Sequence, residues 1–183
     1  MHPQLEQLAE EFLEALDRLH LLADGVAANR WAYRTDPKRW SVAECVAHLN
    51  LSSAAYLPLL ERAVAEAKAI GGPPPRRHRH NPVGWLLWRT MGPPARLRTR
   101  TVAAFVPVST GPATDLVAEF ERRQDAQVAL LRAADDLPLG RVMVTSPFNT
   151  RVRYNLYSCF AILARHQHRH LWQAEQVWAG RSR

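Results

Sequence analysis

Three of the eight histidines fall close together near the C-terminal end of the chain: His166, His168 and His170. If this segment is helical, His166 and His170 share one face, one turn apart, and His168 points away from it. That shared face is also the apolar one, formed by Leu156, Cys159, Leu163, Ala174 and Val177. Two imidazoles therefore point into the protein, where their neutral nitrogens can ligate a metal ion.

A third inward imidazole comes from His48, earlier in the chain. It belongs to the helical stripe formed by Cys45, His48, Ser52 and Tyr56. Three neutral imidazoles suit Zn, Ni, Cu or Fe(II), and three protein ligands leave positions open for water or substrate. A metal would also remove a cost of about 1–3 kcal/mol for each buried ring without a partner. We therefore predict a divalent-metal site formed by His48, His166 and His170.

Other interpretations of these residues stay open. An inward histidine is most often a hydrogen-bonded core residue. A Cys45 thiolate, one turn before His48, would close a zinc site and make it structural, although a small buried core residue is the favoured interpretation. Cys159 lies about two turns from His166, too far along the helix to share its ion. Glu44 could orient His48, but a helix cap already explains it.

Five further polar side chains deserve consideration near such a site. Four of them could contact a substrate anion or an open coordination position, although each is more often a surface or core residue: Asn50, Tyr157, Arg169 and Gln173. We expect the fifth, His168, at solvent or at a boundary between helices.

The elements that must position these residues are helical. Apolar residues recur with helical period over residues 3–28, 41–68, 113–134 and 155–178, and no segment shows a convincing strand pattern. Ser41 and Glu44 form a capping box at the start of the second segment. Pro58 lies inside that segment and predicts a kink or a break near Tyr56. We predict an all-α four-helix bundle that forms a single domain over residues 1–183.

The connection between the second and third of these helices is long and basic. Residues 67–114 contain eight of the 24 lysines and arginines, eight of the 13 prolines, and no acidic residue. The net charge of the chain is +7, so the excess belongs to this one segment. A short helix over residues 83–90 fits within it. A connection of this length is usually functional, or a crossover between parallel helices.

The run Arg76-Arg77-His78-Arg79-His80 within this crossover has three interpretations. A solvated loop is the first. A cationic rim that draws an anionic cofactor or substrate toward the metal is the second. A nucleic-acid site is the third and least favoured, because no aromatic residues interleave the run and no known nucleic-acid fold accompanies it.

Three observations bear on where the protein resides. The apolar stretch over residues 82–88 is far shorter than the ~20 residues of a membrane-spanning helix. The first residues lack a signal-peptide pattern. Two cysteines do not make a disulfide framework. We therefore expect a soluble, cytoplasmic protein.

Two motifs resemble those of the DinB-like (DNA-damage-inducible) four-helix bundles. Residues 40–49, Trp-Ser-Val-Ala-Glu-Cys-Val-Ala-His-Leu, resemble the start of their second helix, which carries the first ligand. Residues 166–173, His-Gln-His-Arg-His-Leu-Trp-Gln, resemble their closing His-x-x-x-His motif followed by a glutamine. The resemblance covers nearly the whole chain. It implies an up-up-down-down bundle, frequently a homodimer, with zinc or nickel on His48, His166 and His170.

The same resemblance implies a class of activity. Characterised relatives include transferases that use bacillithiol, mycothiol or glutathione, and maleylpyruvate isomerases. We therefore expect a metal-dependent transferase, isomerase or hydrolase in which the open site activates a low-molecular-weight thiol or water. Iron and manganese are further candidate metals, and the substrate is expected to be a small molecule that could be anionic. The alternative is a non-catalytic bundle that a metal staples, or a small-anion-binding protein.

Overall fold

The computed structural model describes residues 1–94 and 101–180. In this part the chain forms α1 (Pro3–Gly25), α2 (Val42–Ile70), α3 (Pro82–Met91), α4 (Ala113–Ala133), β1 (Met143–Thr145), β2 (Arg153–Asn155) and α5 (Leu156–Trp178). The predicted all-α class is confirmed, and α3 is the short helix expected within the crossover. No helix in these ranges combines the length and the apolar content that crossing a bilayer requires.

The strand pair is a correction, because the sequence showed no convincing strand pattern. β1 and β2 are antiparallel, with Val144 opposite Tyr154 at the centre of the pair. Both of these side chains are buried. Three residues are too few for an alternation of apolar and polar positions to stand out in a sequence. The pair leads directly into α5, whose N-cap is Asn155.

α2 begins at the predicted capping box. The Glu44 backbone N–H donates to Ser41 Oγ at 3.2 Å, and the Ser41 backbone N–H donates to Glu44 Oε2 at 2.8 Å. The helix then runs unbroken to Ile70. Of the kink or break predicted near Tyr56, the break is therefore wrong. Pro58 lies on the exposed face, where water can bond the carbonyl that lost its partner. One missing hydrogen bond does not end a helix that packs against both α4 and α5.

Contacts between side chains show how α1 and α5 are oriented. Gln4, near the start of α1, donates to the Tyr157 hydroxyl near the start of α5 at 3.2 Å. Arg18, near the end of α1, forms an ion pair of 2.7 Å with Glu175 near the end of α5. The two helices are therefore parallel.

α1 and α4 are antiparallel. The His2 backbone N–H, at the start of α1, donates at 2.8 Å to Asp135, just after the end of α4. His20, near the end of α1, lies 2.7 Å from Glu121 in the first half of α4.

α2 and α5 are also antiparallel, because His48 meets His166 while Tyr56 meets Tyr154. In chain order the four long helices therefore run up, down, down and up, which corrects the expected up-up-down-down order. α2 and α4 are parallel, as the long connection between them suggested. A connection between parallel helices must return along the length of the bundle, and this one contains α3.

The crossover is attached to the bundle by its histidines. His78 is buried and stacks on Tyr157 with ring centroids 5.3 Å apart, and its backbone N–H donates to Gln4 at 2.8 Å. His80 lies 3.0 Å from the Ser158 hydroxyl. The expected solvated loop is therefore wrong for these two residues, since the first turns of α1 and α5 cover them. The arginines of the run are exposed: Arg76, Arg77 and Arg79.

Gly84 is required where α3 packs against the start of α5. A Cβ at this position would overlap the Ser158 side chain and lie 2.6 Å from Asn81 Oδ1. We expect Gly84→Ala to lower the free energy of unfolding by about 1–3 kcal/mol, the usual cost of overpacking. Urea unfolding measures the change. Gly111→Ala, whose Cβ meets nothing within 4 Å, is the control. Equal stability of Gly84→Ala and the parent would contradict this packing.

His78 should make stability depend on pH. Burial, with the His2 ring as a second cause, lowers the pKa of His78 from 6.5 to about 4. Above pH 6.5 the residue is neutral in both the folded and the unfolded chain, so it does not change the free energy of unfolding with pH. Below it the unfolded chain takes up the proton first, so stability falls until about pH 4.

We expect the parent to lose about 2–3 kcal/mol more than His78→Gln across this interval. Urea unfolding at a series of pH values tests it. Superimposable pH curves for the two proteins would show that His78 titrates normally in the folded chain.

Candidate metal centre

Two helices bring the three predicted histidines together. His48 projects from α2, and His166 and His170 project from successive turns of α5. One ring nitrogen from each histidine lies within 4.8 Å of those of the other two. The closest pair is His48 Nε2 and His166 Nε2, which are 3.2 Å apart. The fold thus brings together the three histidines that helical spacing predicted to face inward.

A backbone carbonyl orients His48. Its Nδ1 donates to the Phe105 carbonyl oxygen at 2.7 Å. Because a carbonyl oxygen only accepts, the proton lies on Nδ1, and Nε2 of the neutral ring presents a lone pair toward His166. Sequence reasoning missed Phe105, since every residue has a carbonyl and no pattern marks which one will meet a histidine.

All three imidazoles are held neutral. Burial lowers the pKa of His48, and it lowers the pKa values of His166 and His170 well below 6.5, with the neighbouring histidines as a further cause. Neutral rings are the form that ligates metals. His170 Nδ1 is buried and has no hydrogen-bond partner. The converging lone pairs and this unpaired nitrogen fit a divalent metal ion.

Two aromatic rings pack around the histidines. The Trp40 ring lies 4.9 Å from His48 and 5.8 Å from His170, centroid to centroid. Phe148, from the connection between β1 and β2, lies 5.9 Å from His166. These rings restrict the orientation of the imidazoles and keep water away from one side of the cluster.

The histidines line a cavity of about 540 Å³, a size typical of small-molecule sites. Its wall is largely apolar and draws on α2, α3, α5 and the segment that joins the strands. The apolar lining residues are Trp40, Leu87, Met91, Val102, Phe148, Val152, Ile162 and Leu163. An apolar wall with a few converging polar groups is the usual construction of a ligand site.

Two of the four polar side chains considered in the sequence line this cavity. Arg169 and Gln173 belong to the same turns of α5 as the histidines and face the cavity with them. The Gln173 side chain lies close enough to His170 to raise the pKa of that imidazole against the larger effect of burial. Arg169 therefore places a positive charge, and Gln173 an amide, beside the histidine cluster.

The other two polar candidates face elsewhere. Asn50 Nδ2 donates to the Leu116 carbonyl oxygen at 3.0 Å, across the contact between α2 and α4. The Tyr157 hydroxyl accepts from Gln4 at 3.2 Å, at the start of α1. Neither residue lines the cavity, because each is committed to holding two helices together.

His168 lies at a boundary between helices, which is one of the two positions expected for it. Its Nε2 donates to the Glu11 carbonyl oxygen at 2.8 Å, and its Nδ1 accepts from Arg18 at 2.8 Å. The residue therefore ties α5 to α1 and points away from the histidine cluster.

Glu44 and the cysteines lie outside the cluster. Glu44 is engaged by the helix cap and by an ion pair with Arg34, so it does not orient His48. Cys45 and Cys159 are buried in the core. Burial raises the pKa of the Cys45 thiol to about 12, which leaves it protonated and a poor ligand.

The basic crossover takes part in the site through its apolar and backbone atoms. Leu87 and Met91 of α3, and Thr101 and Val102 after it, line the cavity. The basic residues that are described in this segment do not line it: Lys68, Arg76, Arg77, Arg79 and Arg89. The remaining three, Arg96, Arg98 and Arg100, lie outside the described residues. Among the described lining residues the cation is Arg169, which α5 supplies.

Sequence reasoning missed three hydroxyl groups in the cavity wall. The hydroxyls of Tyr56 and Tyr154 hydrogen-bond each other. The Ser146 side chain is close enough to both phenols to lower their pKa values against the larger effect of burial. All three residues are buried and line the cavity. The helical stripe of His48 included Tyr56, but Tyr154 and Ser146 belong to the strand pair and its connection, which no pattern predicted.

Comparison with known proteins agrees with the motifs around the histidines. A family model described as the DinB superfamily matches residues 4–174. Comparisons with curated proteins and with solved structures found no match. The matched range contains all three histidines and every described residue that lines the cavity. Because the match extends over most of the sequence, the chain belongs to the DinB superfamily.

Proposed function

We propose that the protein is a divalent-metal-dependent enzyme acting on a small molecule, with His48, His166 and His170 as the metal ligands. One observation carries the proposal. Three neutral imidazoles converge to within 4.8 Å in the wall of a cavity that is large enough for a substrate. Three protein ligands leave coordination positions for a second molecule.

Three imidazole ligands favour zinc or nickel, with iron and manganese as alternatives. Such a metal, when bound, lowers the pKa of a coordinated thiol or water and supplies a nucleophile at neutral pH. We propose a low-molecular-weight thiol as the co-substrate. The reaction class is thiol transfer, isomerisation through a thiol adduct, or hydrolysis.

The residues around the histidines support a substrate that is apolar in its body and anionic near the metal. Arg169 lines the cavity and its positive charge acts on His166 and His170, so an anion beside the histidines is favoured over a cation. Trp40 and Phe148 limit access of water to the imidazoles. Gln173 lies beside His170 in the same wall, where its amide can orient that ring.

A non-catalytic role is the second candidate. His48 belongs to α2 and the other two histidines to α5, so a metal would cross-link two helices. A structural staple needs no open space beside it, however, and these histidines face a cavity of about 540 Å³. The cavity is the reason to rank catalysis first.

The ligand set can be tested by metal analysis. We expect about one equivalent of divalent metal in the parent after dialysis against zinc or nickel. His166→Ala and His170→Ala should bind the metal at least about 100-fold more weakly, since removing a residue that merely orients a ligand already costs 10–100-fold. His20→Ala is the matched control, because His20 is half-exposed and pairs with Glu121, away from the histidine cluster.

Metal content far below one equivalent in the parent would refute the site. Equal affinity in the parent and both α5 variants would place the metal elsewhere.

Catalysis can be tested by turnover. Metal-loaded protein, presented with low-molecular-weight thiols and a panel of small electrophiles, should consume the electrophile, because the metal converts the thiol to thiolate. A transferase also consumes the thiol, whereas an isomerase releases it again. His166→Ala should be inactive, and His20→Ala should match the parent. Equal rates for the parent and His166→Ala would sink the enzyme proposal. If no turnover occurs and chelation lowers Tm by many degrees, the stapled bundle is the better description.

A further inference from the structure

The cavity has polar groups at two separate places. The histidines form one of them. The hydroxyls of Tyr56, Tyr154 and Ser146 form the other, which we call the hydroxyl cluster. Tyr56 follows His48 by eight residues on α2, which corresponds to about 12 Å along the helix axis. The Phe148 ring packs near both places, 6.1 Å from the His48 ring and 6.2 Å from the Tyr56 ring, so those two rings are no more than about 12 Å apart.

The hydroxyl cluster has hydrogen-bonding capacity to spare. Three hydroxyls carry three donors and six lone pairs. The Phe148 backbone N–H donates to Ser146 Oγ at 3.3 Å, and bonds among the hydroxyls use at most three more lone pairs, so at least two stay free. Tyr56 and Tyr154 are only 3% and 1% exposed, and they also line the cavity. Burial raises the pKa of both phenols, so they are neutral groups that can accept a hydrogen bond or turn to donate one. A ligand hydroxyl can do both and matches either arrangement.

The wall between the two polar places is apolar. Leu87, Val152, Ile162 and Leu163 line the cavity together with Phe148. A ligand that touches the histidines and the hydroxyl cluster at once must therefore have an apolar body. An apolar group placed against the hydroxyl cluster would leave its free donors and acceptors without hydrogen bonds. Sites that hydrogen-bond a substrate hydroxyl therefore reject analogues that lack this hydroxyl.

We propose that Tyr56, Tyr154 and Ser146 form a subsite that binds a hydroxyl group at the far end of the substrate. This subsite rests on the proposed metal function and narrows its substrate class. The substrate is an elongated molecule with an apolar body, a reacting group at the histidines and an alcohol or phenol group at the other end, no more than about 12 Å away. The two tyrosines and the serine select for length and for that hydroxyl.

Two matched thiols test the subsite on the full-length protein loaded with cobalt(II). The first is 8-mercaptooctan-1-ol, whose flexible chain is long enough to span the two polar places, and the second is nonane-1-thiol, which carries a methyl in place of the hydroxyl. Thiolate-to-cobalt absorption in the near ultraviolet reports binding of either. We expect Tyr56→Phe and Tyr154→Phe to lower the affinity for the mercapto alcohol about 5- to 10-fold, which corresponds to the loss of one hydrogen bond. Nonane-1-thiol should bind them as it binds the parent.

Two controls separate a subsite from a structural role. Tyr157→Phe also removes a phenol hydroxyl, but one that bonds Gln4 outside the cavity, so it should leave both affinities unchanged. A short probe, 3-mercaptopropan-1-ol, cannot reach the hydroxyl cluster and should bind all four proteins alike. Unchanged binding of nonane-1-thiol also shows that the phenylalanine variants keep the shape of the cavity.

The outcomes distinguish the subsite from the metal function. A loss confined to the mercapto alcohol, in Tyr56→Phe and Tyr154→Phe only, supports the subsite. Equal losses of affinity for both long thiols would mean that the tyrosines only maintain the shape of the cavity. No loss of affinity for either thiol would mean that the hydroxyls bind nothing. Each of these results overturns the subsite. If the parent binds no cobalt or no thiol, the metal function fails and the subsite falls with it.

Discussion

A layer of polar side chains crosses the middle of the core, and the rest of the structure depends on satisfying it. On α5, apolar residues up to Ala164 belong to one buried cluster and those from Leu171 onward to another. Between them the helix carries histidines, arginines and a glutamine. Buried polar groups are costly without partners, so each neighbouring helix must supply one at this level. The three histidines of the metal centre belong to this layer.

The partners in the layer determine which way α5 faces. Gln167 exchanges hydrogen bonds with Gln124 of α4 at 3.0 and 2.8 Å, and it also donates to Gln127. His168 is bonded to Arg18 of α1. With two faces of α5 committed in this way, the face that carries His166 and His170 is directed at α2 and at the cavity. The metal centre is thus oriented by residues that do not touch it.

The crossover contributes to the metal centre, but not through the positive charge that distinguishes it in the sequence. Its positive charge suggested a rim for anions, yet its described basic residues stay out of the cavity. What it contributes is the apolar face of α3 and the Phe105 carbonyl that sets the tautomer of His48. The crossover can bring these atoms to the site because α2 and α4 are parallel, so their connection must pass along the bundle.

The sequence by itself determined the helices, the capping box of Ser41 and Glu44, and the three histidines, because helical period and capping are properties of neighbouring residues. Tertiary structure alone decided the up-down-down-up order, the strand pair, the Phe105 contact and the cluster of Tyr56, Tyr154 and Ser146. Each of these joins segments that are far apart in the chain through backbone atoms or through hydroxyls without periodic spacing. Such pairings leave no local pattern, because packing of the whole bundle selects them.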